Sequence, residues 1–297
     1  MTSLTERQSS AITIALVGNP NTGKSTFFSA LCGVPARIGN YPGVTVEKKL
    51  GTYRDAEGQV TVVDLPGTYS LTARTLDEKV SVDVLQGKVP EVPSIDLVVA
   101  IVDATNIERN LYLFTQLRQV DIPVLLVLNM WDRAKATIRL NVAELEQRLA
   151  VPIVTVSASR GEGIQEAKAA IRRAHQRAAT ELPTIFPKEF EEETSQLQNW
   201  LEGQGQRLPR FLVQRLLLDV GGVHSSELSQ DPKLSELDLR LVRAGQKLQE
   251  YGQRVPAIET KVRYGWIRTQ LEGIYQRLEQ GKDTLSDRID RWLTHRI

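Results

Sequence analysis

A short run near the start of the chain has the residue types and spacing that bind phosphate groups. Gly18-Asn19-Pro20-Asn21-Thr22-Gly23-Lys24-Ser25 fits the pattern G-x-x-x-x-G-K followed by Ser or Thr, and it directly follows the apolar segment 12–17. The glycines let backbone N–H groups turn towards phosphate oxygens, Lys24 can reach the β and γ phosphates, and the Ser25 hydroxyl is placed for Mg²⁺. The residues from Thr26 to Leu31 favour a helix whose positive N-terminus would face the phosphates. A nucleoside triphosphate is therefore the first ligand to consider.

A second motif indicates which base the nucleotide carries. Asn129-Met130-Trp131-Asp132 ends the apolar segment 123–128, and N-x-x-D at this place is typical of guanine recognition. The Asp132 carboxylate can accept hydrogen bonds from the ring N–H and the exocyclic amine of guanine, a pair of donors that adenine does not offer. A strand end followed by a helix cap would give the same tetrapeptide, but the phosphate-binding run upstream favours guanine.

Two weaker motifs complete the set. Asp64-Leu65-Pro66-Gly67 follows the apolar segment 60–63, which places Asp64 beside the γ phosphate as a water-mediated partner of Mg²⁺. Gly67 lets its N–H approach the same phosphate. Ser157-Ala158-Ser159 follows the segment 153–156 and would add backbone contacts to the guanine, although an ordinary helix cap has the same composition.

Between the phosphate-binding run and Asp64 lies a segment, Arg37 to Glu47, in which glycine and proline interrupt any regular element. Gly43, Val44 and Thr45 occupy the place where a second hydroxyl ligand of Mg²⁺ is expected, and we assign that hydroxyl to Thr45. A loop held only by γ-phosphate and metal contacts can order with GTP and loosen after hydrolysis. A surface loop without a switching role is the alternative.

The group that would orient the attacking water is not evident. Ras-like proteins carry a glutamine after D-x-x-G, whereas this chain has Thr68 and then Tyr69. Neither side chain replaces an amide as both donor and acceptor. We therefore expect either slow hydrolysis or an attacking water held by backbone groups, with the charge offset by another cation. The reaction would be in-line attack of water on the γ phosphate, with catalytic contacts from Lys24, Thr45 and Gly67.

The elements that must position these residues alternate between strands and helices up to residue 179. This pattern predicts an α/β fold of the P-loop GTPase type, with a mixed, mostly parallel sheet flanked by helices and nucleotide loops at the carboxyl ends of the strands. Strands are predicted near 12–17, 60–63, 97–102, 124–128 and 153–156, with one more near 44–53 that could run antiparallel. Helices are predicted near 24–32, 76–86, 107–119, 141–149 and 163–179.

Beyond Pro187 the pattern changes to helices alone, near 188–202, 208–220, 233–251 and 256–280, with no further strand. We therefore predict three parts: a GTPase domain over 1–180, a small all-helical domain over 181–282, and an amphipathic helix over 283–297. Acidic and basic residues nearly balance in residues 181–297, which leaves no basic surplus for an RNA-binding appendage.

Composition bounds the class of protein. The chain of 297 residues is 41% hydrophobic, enough for one GTPase domain and a smaller second domain, and its net charge of +1 argues against a nucleic-acid partner. One cysteine and three histidines predict neither a disulfide framework nor a clustered metal site, which fits a reducing cytoplasm. The sequence shows no signal peptide and no run of eighteen apolar residues, so we expect a soluble piece.

The chain resembles the cytoplasmic N-terminal region of FeoB-type ferrous iron transporters. The resemblance covers most of the first 165 residues, and its most family-specific stretch is Glu108-Arg109-Asn110-Leu111-Tyr112-Leu113. Tyr41 stands where many members have tryptophan. Further resembling segments are the phosphate-binding run and residues 39–47, 63–71 and 128–132.

The resemblance implies a function and several ligands. From chemistry alone Asn21 could ligate a monovalent cation or shape its loop by a hydrogen bond; in this family the matching asparagine is thought to hold K⁺. The helical domain resembles a guanine nucleotide dissociation inhibitor in effect, slowing GDP release. The last segment resembles the stretch that leads into the first membrane helix.

These implications give one leading interpretation and two alternatives. The chain would bind and hydrolyse GTP with Mg²⁺ at the cytoplasmic face of the bacterial inner membrane, where it regulates ferrous iron uptake through its own membrane-spanning domain. An amphipathic C-terminal helix could pack internally or between subunits, so a homo-oligomer stays open. The alternatives are a free-standing GTPase of the ribosome or tRNA maturation type and a nucleotide-binding scaffold without turnover.

Overall fold

Nine strands appear in the described part of the chain. The structure is a computed structural model, and it describes residues 11–33, 37–41, 44–72, 75–179, 184–253, 255 and 257–278. The strands are β1 (Ile12–Gly18), β2 (Arg37–Asn40), β3 (Glu47–Asp55), β4 (Gly58–Asp64), β5 (Leu97–Asp103), β6 (Val124–Asn129), β7 (Ile138–Leu140), β8 (Ile153–Thr155) and β9 (Tyr275–Arg277).

Seven of these strands form one mixed sheet in the order β2-β3-β4-β1-β5-β6-β8. The strands β4, β1, β5, β6 and β8 are parallel to one another, whereas β3 pairs antiparallel with β2 on one side and with β4 on the other. The predicted mostly parallel sheet is therefore confirmed, as is the antiparallel strand, which begins at Glu47 rather than at 44. Because the parallel strands share a direction, the loops after β1, β4, β6 and β8 meet at one edge of the sheet.

The helices that accompany these strands number eleven among the described residues. They are α1 (Lys24–Cys32), α2 (Leu76–Leu85), α3 (Ile107–Leu117), α4 (Trp131–Thr137), α5 (Val142–Leu149), α6 (Ile164–His175), α7 (Lys188–Gly203), α8 (Arg210–Leu218), α9 (Val223–Leu228), α10 (Leu237–Glu250) and α11 (Ala257–Leu271). The helices predicted up to residue 179 are all present, and α4 and α9 are additional short ones.

The sheet is covered by helices on both faces. In β1, Ile14 and Leu16 pack with the buried side chains of α1 and α6, whereas Ala15 and Val17 pack with those of α2 and α3. This two-residue alternation follows from the pleat of a strand that is buried on both faces. The fully buried β1 thus fixes the start of the phosphate-binding run between two hydrophobic layers.

The helices α7 to α11, called here the helical part, share a further core that includes Phe190, Leu216 and Leu241. Two of them also contact the sheet layer. Phe211 on α8 and Ile267 on α11 pack in the hydrophobic layer between the sheet and the helices α2 and α3. Other residues of α8 and α11 lie in the core of the helical part. The helical part is therefore packed onto the α3 side of the sheet.

The prediction of helices alone after Pro187 is wrong in one place. The helix predicted to reach residue 280 ends at Leu271, and β9 then pairs antiparallel with β7. The chain leaves the helical path at Gly273, whose φ of +75° suits glycine. Arg148 Nη1 donates to the carbonyl oxygens of Gln270 and Glu272, at 3.0 and 2.8 Å, and so satisfies backbone acceptors at the end of α11.

The predicted amphipathic helix over 283–297 lies outside the described residues. Within the described ranges, no helix has both the length and the apolar character needed to cross a lipid bilayer.

A close approach between α1 and β3 generates a stability prediction. A Cβ added at Gly51 would lie 2.7 Å from both Phe28 Cζ and Cys32 Sγ. We expect Gly51→Ala to lower the free energy of unfolding by about 1–3 kcal/mol, because the buried α1 side chains must shift. Gly39→Ala is the matched control, since a Cβ there meets no atom within 4 Å. Urea denaturation measures both variants, and equal unfolding free energies would contradict the packing argument.

Candidate nucleotide-binding site

The phosphate loop, residues 18–25, turns sharply between β1 and α1. Asn21 and Gly23 adopt left-handed φ values of 66° and 79°, and the buried Thr22 hydroxyl donates to the Asn19 carbonyl at 2.9 Å. α1 then begins at Lys24, so its N-terminus lies at the carboxyl end of β1. A helix N-terminus at this edge of the sheet can bind an anion through its free N–H groups. Ser25 and Thr26, in the first turn, are exposed.

Lys24 contacts the predicted magnesium-site carboxylate directly. Its Nζ forms an ion pair with Asp64 Oδ1, and the two side chains are only 10% and 3% exposed. The structure therefore brings together the phosphate-binding lysine and the residue assigned to Mg²⁺. Charged groups buried to this degree are paired because an isolated buried charge is costly.

The Asp64 loop, residues 64–71, lies against the phosphate loop. Thr68 N donates to the Gly18 carbonyl at 3.2 Å, and a Cβ added at Gly67 would lie 3.3 Å from Pro20 Cα. The backbone of Gly67 therefore lies close to the phosphate loop. The position needs a residue without a bulky side chain.

The side chain of Asn129 joins three loops. Its Nδ2 donates to the Thr22 carbonyl at 2.8 Å, and its Oδ1 accepts from Ala158 N at 3.1 Å. Gly23 faces the same amide, because a Cβ there would come within 2.4 Å of Asn129 Nδ2. The phosphate loop and the two predicted guanine motifs therefore meet at one amide that is 2% exposed.

Asp132 lies in the first turn of α4, after Met130 has turned the chain with a left-handed φ of 57°. Its backbone N donates to the buried Ser157 Oγ at 3.0 Å, which fixes the carboxylate beside the Ser157-Ala158-Ser159 turn. The Asp132 side chain is 12% exposed and forms an ion pair with Arg160, Nε to Oδ2, at 3.0 Å.

Arg160 is a residue that the motifs did not identify. It directly follows Ser159, on the exposed side of a 3₁₀ turn, and its side chain is 61% exposed. Two features of the sequence could have indicated it. Arg160 directly follows a predicted guanine motif, and its charge is opposite to that of Asp132.

The remaining predicted residues are less tightly placed. Val44 and Thr45 lie between β2 and β3, where Thr45 is exposed and, in the described part of the chain, bonds neither Ser25 nor Asp64; Gly43 lies outside the described residues. Thr68 is buried, and its hydroxyl donates to the Ser70 carbonyl at 2.7 Å. Tyr69 is half exposed, with the Arg109 guanidinium 5.1 Å from its ring centre.

Comparison with known proteins gives consistent relatives. The family model described as "Ferrous iron transport protein B" matches residues 12–171. The Fe(2+) transporters FeoB of Salmonella typhimurium and Escherichia coli strain K12 are each 46% identical to this chain in an alignment of 168 residues that covers 54% of this chain and 21% of each relative. The chain therefore matches about a fifth of the length of these curated relatives.

Solved structures are similar over most of the chain. The cytosolic domain of L. pneumophila FeoB is 28% identical, with a TM-score of 0.73 over 89% of this chain and 99% of that one. A mutant S. thermophilus NFeoB bound to GDP is 30% identical, with a TM-score of 0.75 over 89% and 100% of the two chains. The T. maritima FeoB cytosolic domain in its GMPPNP form is 29% identical, with a TM-score of 0.71 over 89% and 99%.

The position of Asn129 predicts a large effect of its removal. Asn129→Ala leaves the Thr22 carbonyl and the Ala158 N–H buried without their partner, so we expect the free energy of unfolding to fall by about 2–4 kcal/mol. Asn106→Ala removes an exposed amide that bonds only within its own turn, and we expect it to change stability by less than about 0.5 kcal/mol. Chemical denaturation of the two variants checks this, and a loss below about 1 kcal/mol for Asn129→Ala would contradict the interpretation.

Proposed function

This chain belongs to the ferrous iron transport protein B family, and we propose that it binds GTP and hydrolyses it slowly. The observation that carries the proposal is the Asn129 amide, which holds the phosphate loop and the two guanine motifs in one place. A single ligand with phosphates at one end and guanine at the other fits that arrangement. GDP and GMPPNP are bound to structurally similar proteins, which supports the same ligand class here.

On the phosphate side, the donor set suits a hard divalent cation. Hydroxyl oxygens of Ser25 and Thr45 and the carboxylate of Asp64 are the oxygen ligands that Mg²⁺ prefers, with Asp64 acting through water. Mg²⁺ would neutralise charge on the β and γ phosphates when bound. Lys24 would add its ammonium to the same phosphates, and the Gly67 N–H would donate to the γ phosphate.

The base would be held by the motifs around Asn129. Asp132 would accept from the ring N–H and exocyclic amine of guanine, while Met130, Ala158 and Ser159 would line the base with their backbone. Because Arg160 now pairs with Asp132, guanine must compete with an exposed guanidinium for that carboxylate.

Hydrolysis would be slow because no side chain replaces the water-orienting glutamine at the end of the Asp64 loop. The Thr68 hydroxyl already bonds the Ser70 carbonyl, and Tyr69 is turned towards Arg109. Asn21 is exposed on the phosphate loop, and its side-chain oxygen suits K⁺. We assign K⁺ to Asn21, where a second positive charge would offset the charge that develops on the phosphates.

For the whole protein, we propose that nucleotide state regulates ferrous iron uptake through a membrane-spanning domain of the same protein, at the cytoplasmic face of the bacterial inner membrane. Residues 1–180 would be the GTPase domain, and residues 181–282 a helical domain that slows GDP release. Residues 283–297 would lead towards the membrane. Family membership favours this over a free-standing GTPase of ribosome or tRNA maturation.

The guanine assignment is tested at Asp132. We expect Asp132→Ala to weaken GDP binding by about a hundredfold or more, because two hydrogen bonds to a charged acceptor are lost. Asp132→Asn should bind xanthosine diphosphate better than GDP, since the amide can donate to the carbonyl that xanthine carries in place of the amine. Titration with fluorescent nucleotide analogues measures both affinities.

Arg160→Ala is the matched control for Asp132. It removes the ion pair and leaves the carboxylate, so we expect GDP affinity equal to that of the unmodified chain or up to about fivefold higher. Unchanged affinity of Asp132→Ala would exclude the guanine assignment.

The K⁺ assignment is tested at Asn21. We expect phosphate release from GTP to be faster in K⁺ than in Na⁺, and we expect Asn21→Ala to bring the ratio of the two rates to about one. GDP affinity should be retained, which shows that the phosphate loop is intact. A variant that still prefers K⁺ would disprove this site.

A further inference from the structure

A buried cluster of charged and amide side chains lies where α3 meets α8 and α11. Its charged members are Arg215, Glu259 and Arg263, which are 2%, 5% and 0% exposed. Two amides contact them, Gln116 on α3 and Gln119 in the turn that follows α3. Such groups are costly to bury unless each finds a partner, so the positions of the three helices depend on one another.

The Gln116 amide forms two hydrogen bonds, one to the Asp64 loop and one to the helical part. Its Oε1 accepts from the backbone N–H of Leu71 at 2.8 Å, and its Nε2 donates to Glu259 Oε1 at 2.9 Å. Leu71 is the last residue of the Asp64 loop, and Glu259 lies on α11. Gln116 and Leu71 are both fully buried, so water does not replace either bond.

Glu259 in turn contacts both arginines. Arg215 on α8 pairs with Oε1 at 2.5 Å, and Arg263 Nε donates to it at 2.8 Å. Burial alone would raise the pKa of Glu259, but the two guanidinium groups hold it at about 2. The carboxylate is therefore ionised at physiological pH, and moving it away from either arginine would leave a buried charge without its partner.

We propose that Gln116 is a positioning residue that couples the Asp64 loop to the helical part. The inference rests on the proposed function, in which that loop responds to the nucleotide. A shift of Leu71 must either break its bond to Gln116 or move the amide, and a moved amide gives up Glu259. The helical part thereby favours one arrangement of the loop, and it restrains the loop while GDP is bound.

Gln119, three residues further along the chain in the turn after α3, provides a matched comparison. Its Oε1 accepts from Arg263 Nη2 at 2.5 Å, and its Nε2 donates to Gln214 Oε1 at 2.8 Å. Both bonds run to the helical part. Replacing either glutamine with methionine weakens the junction with α8 and α11, but only the change at Gln116 frees Leu71.

The test is the rate of release of a fluorescent GDP analogue from the whole chain. We expect Gln116→Met to accelerate release about fivefold or more, the effect of losing about one buried hydrogen bond. Gln119→Met should change the rate of GDP release by less than twofold, although it should lower Tm about as much as Gln116→Met does. Release within twofold of the unmodified chain for Gln116→Met, or equal acceleration by both variants, would overturn the proposal.

Hydrogen exchange separates this proposal from the assignment of the nucleotide. Measured without nucleotide, the backbone amides of residues 67–71 should exchange about fivefold faster in Gln116→Met than in Gln119→Met. If the unmodified chain bound no GDP, the proposed function would fail while this measurement still reported on Gln116. Equal exchange in the two variants would exclude the coupling.

A milder variant covers the case in which Gln116→Met does not fold. Gln116→Asn keeps the amide but shortens the side chain by one methylene, so it cannot hold Leu71 and Glu259 together. We expect the same acceleration of GDP release, and an unaltered rate would count against the coupling.

Discussion

The candidate site depends on one buried amide, that of Asn129. The loops that it joins follow β1, β6 and β8, and β1 and β6 are separated in the sheet by β5. No strand-to-strand hydrogen bond therefore joins the ends of β1 and β6 directly. The Asn129 side chain bridges that gap, and it can do so only because Gly23 has no Cβ to occupy the same space. Sequence and geometry agree here: a glycine in the first motif makes room for an asparagine in the second.

Charge is arranged around this amide so that each ionic group already has a partner. Lys24 pairs with Asp64, and Asp132 pairs with Arg160. Under the proposed function, a phosphate that drew Lys24 away would leave the Asp64 carboxylate without its cation, and a divalent metal would then take that place. Phosphate and metal binding would therefore be coupled by the cost of leaving a nearly buried carboxylate unpaired. In the Asp132 pair the cation, Arg160, is 61% exposed, so exchanging this partner costs much less.

The parts of the fold and of the candidate site that the sequence predicted are those with a local pattern. The strands β1, β5 and β6 are continuous apolar runs, and the phosphate and guanine motifs lie directly after two of them. The short strands β7 and β9 have only three residues each, too few to show a period, and they form because distant segments pair. Gln116 and Glu259 were missed for the same reason, since their bond joins residues 143 positions apart. The motifs did not identify Arg160, because the 3₁₀ turn over Ala158–Arg160 brings it to Asp132 and no sequence pattern links the two residues.

Long-range contacts also cross the predicted domain boundary near residue 180. Such a boundary separates the core of the helical part, but it does not separate Ile267 and Leu271 of α11 from the sheet, because both pack in one cluster with α3. After α11 the chain returns to pair with β7, which follows α4 and the guanine motif. The last described strand is thus held by hydrogen bonds close to the base-binding loop, while the cluster around Glu259 holds α11 to the Asp64 loop. α11 is therefore joined near its start to the end of the Asp64 loop, and the chain after its last turn is joined to the strand that follows α4, so a shift of either segment must move α11 or break one of these contacts.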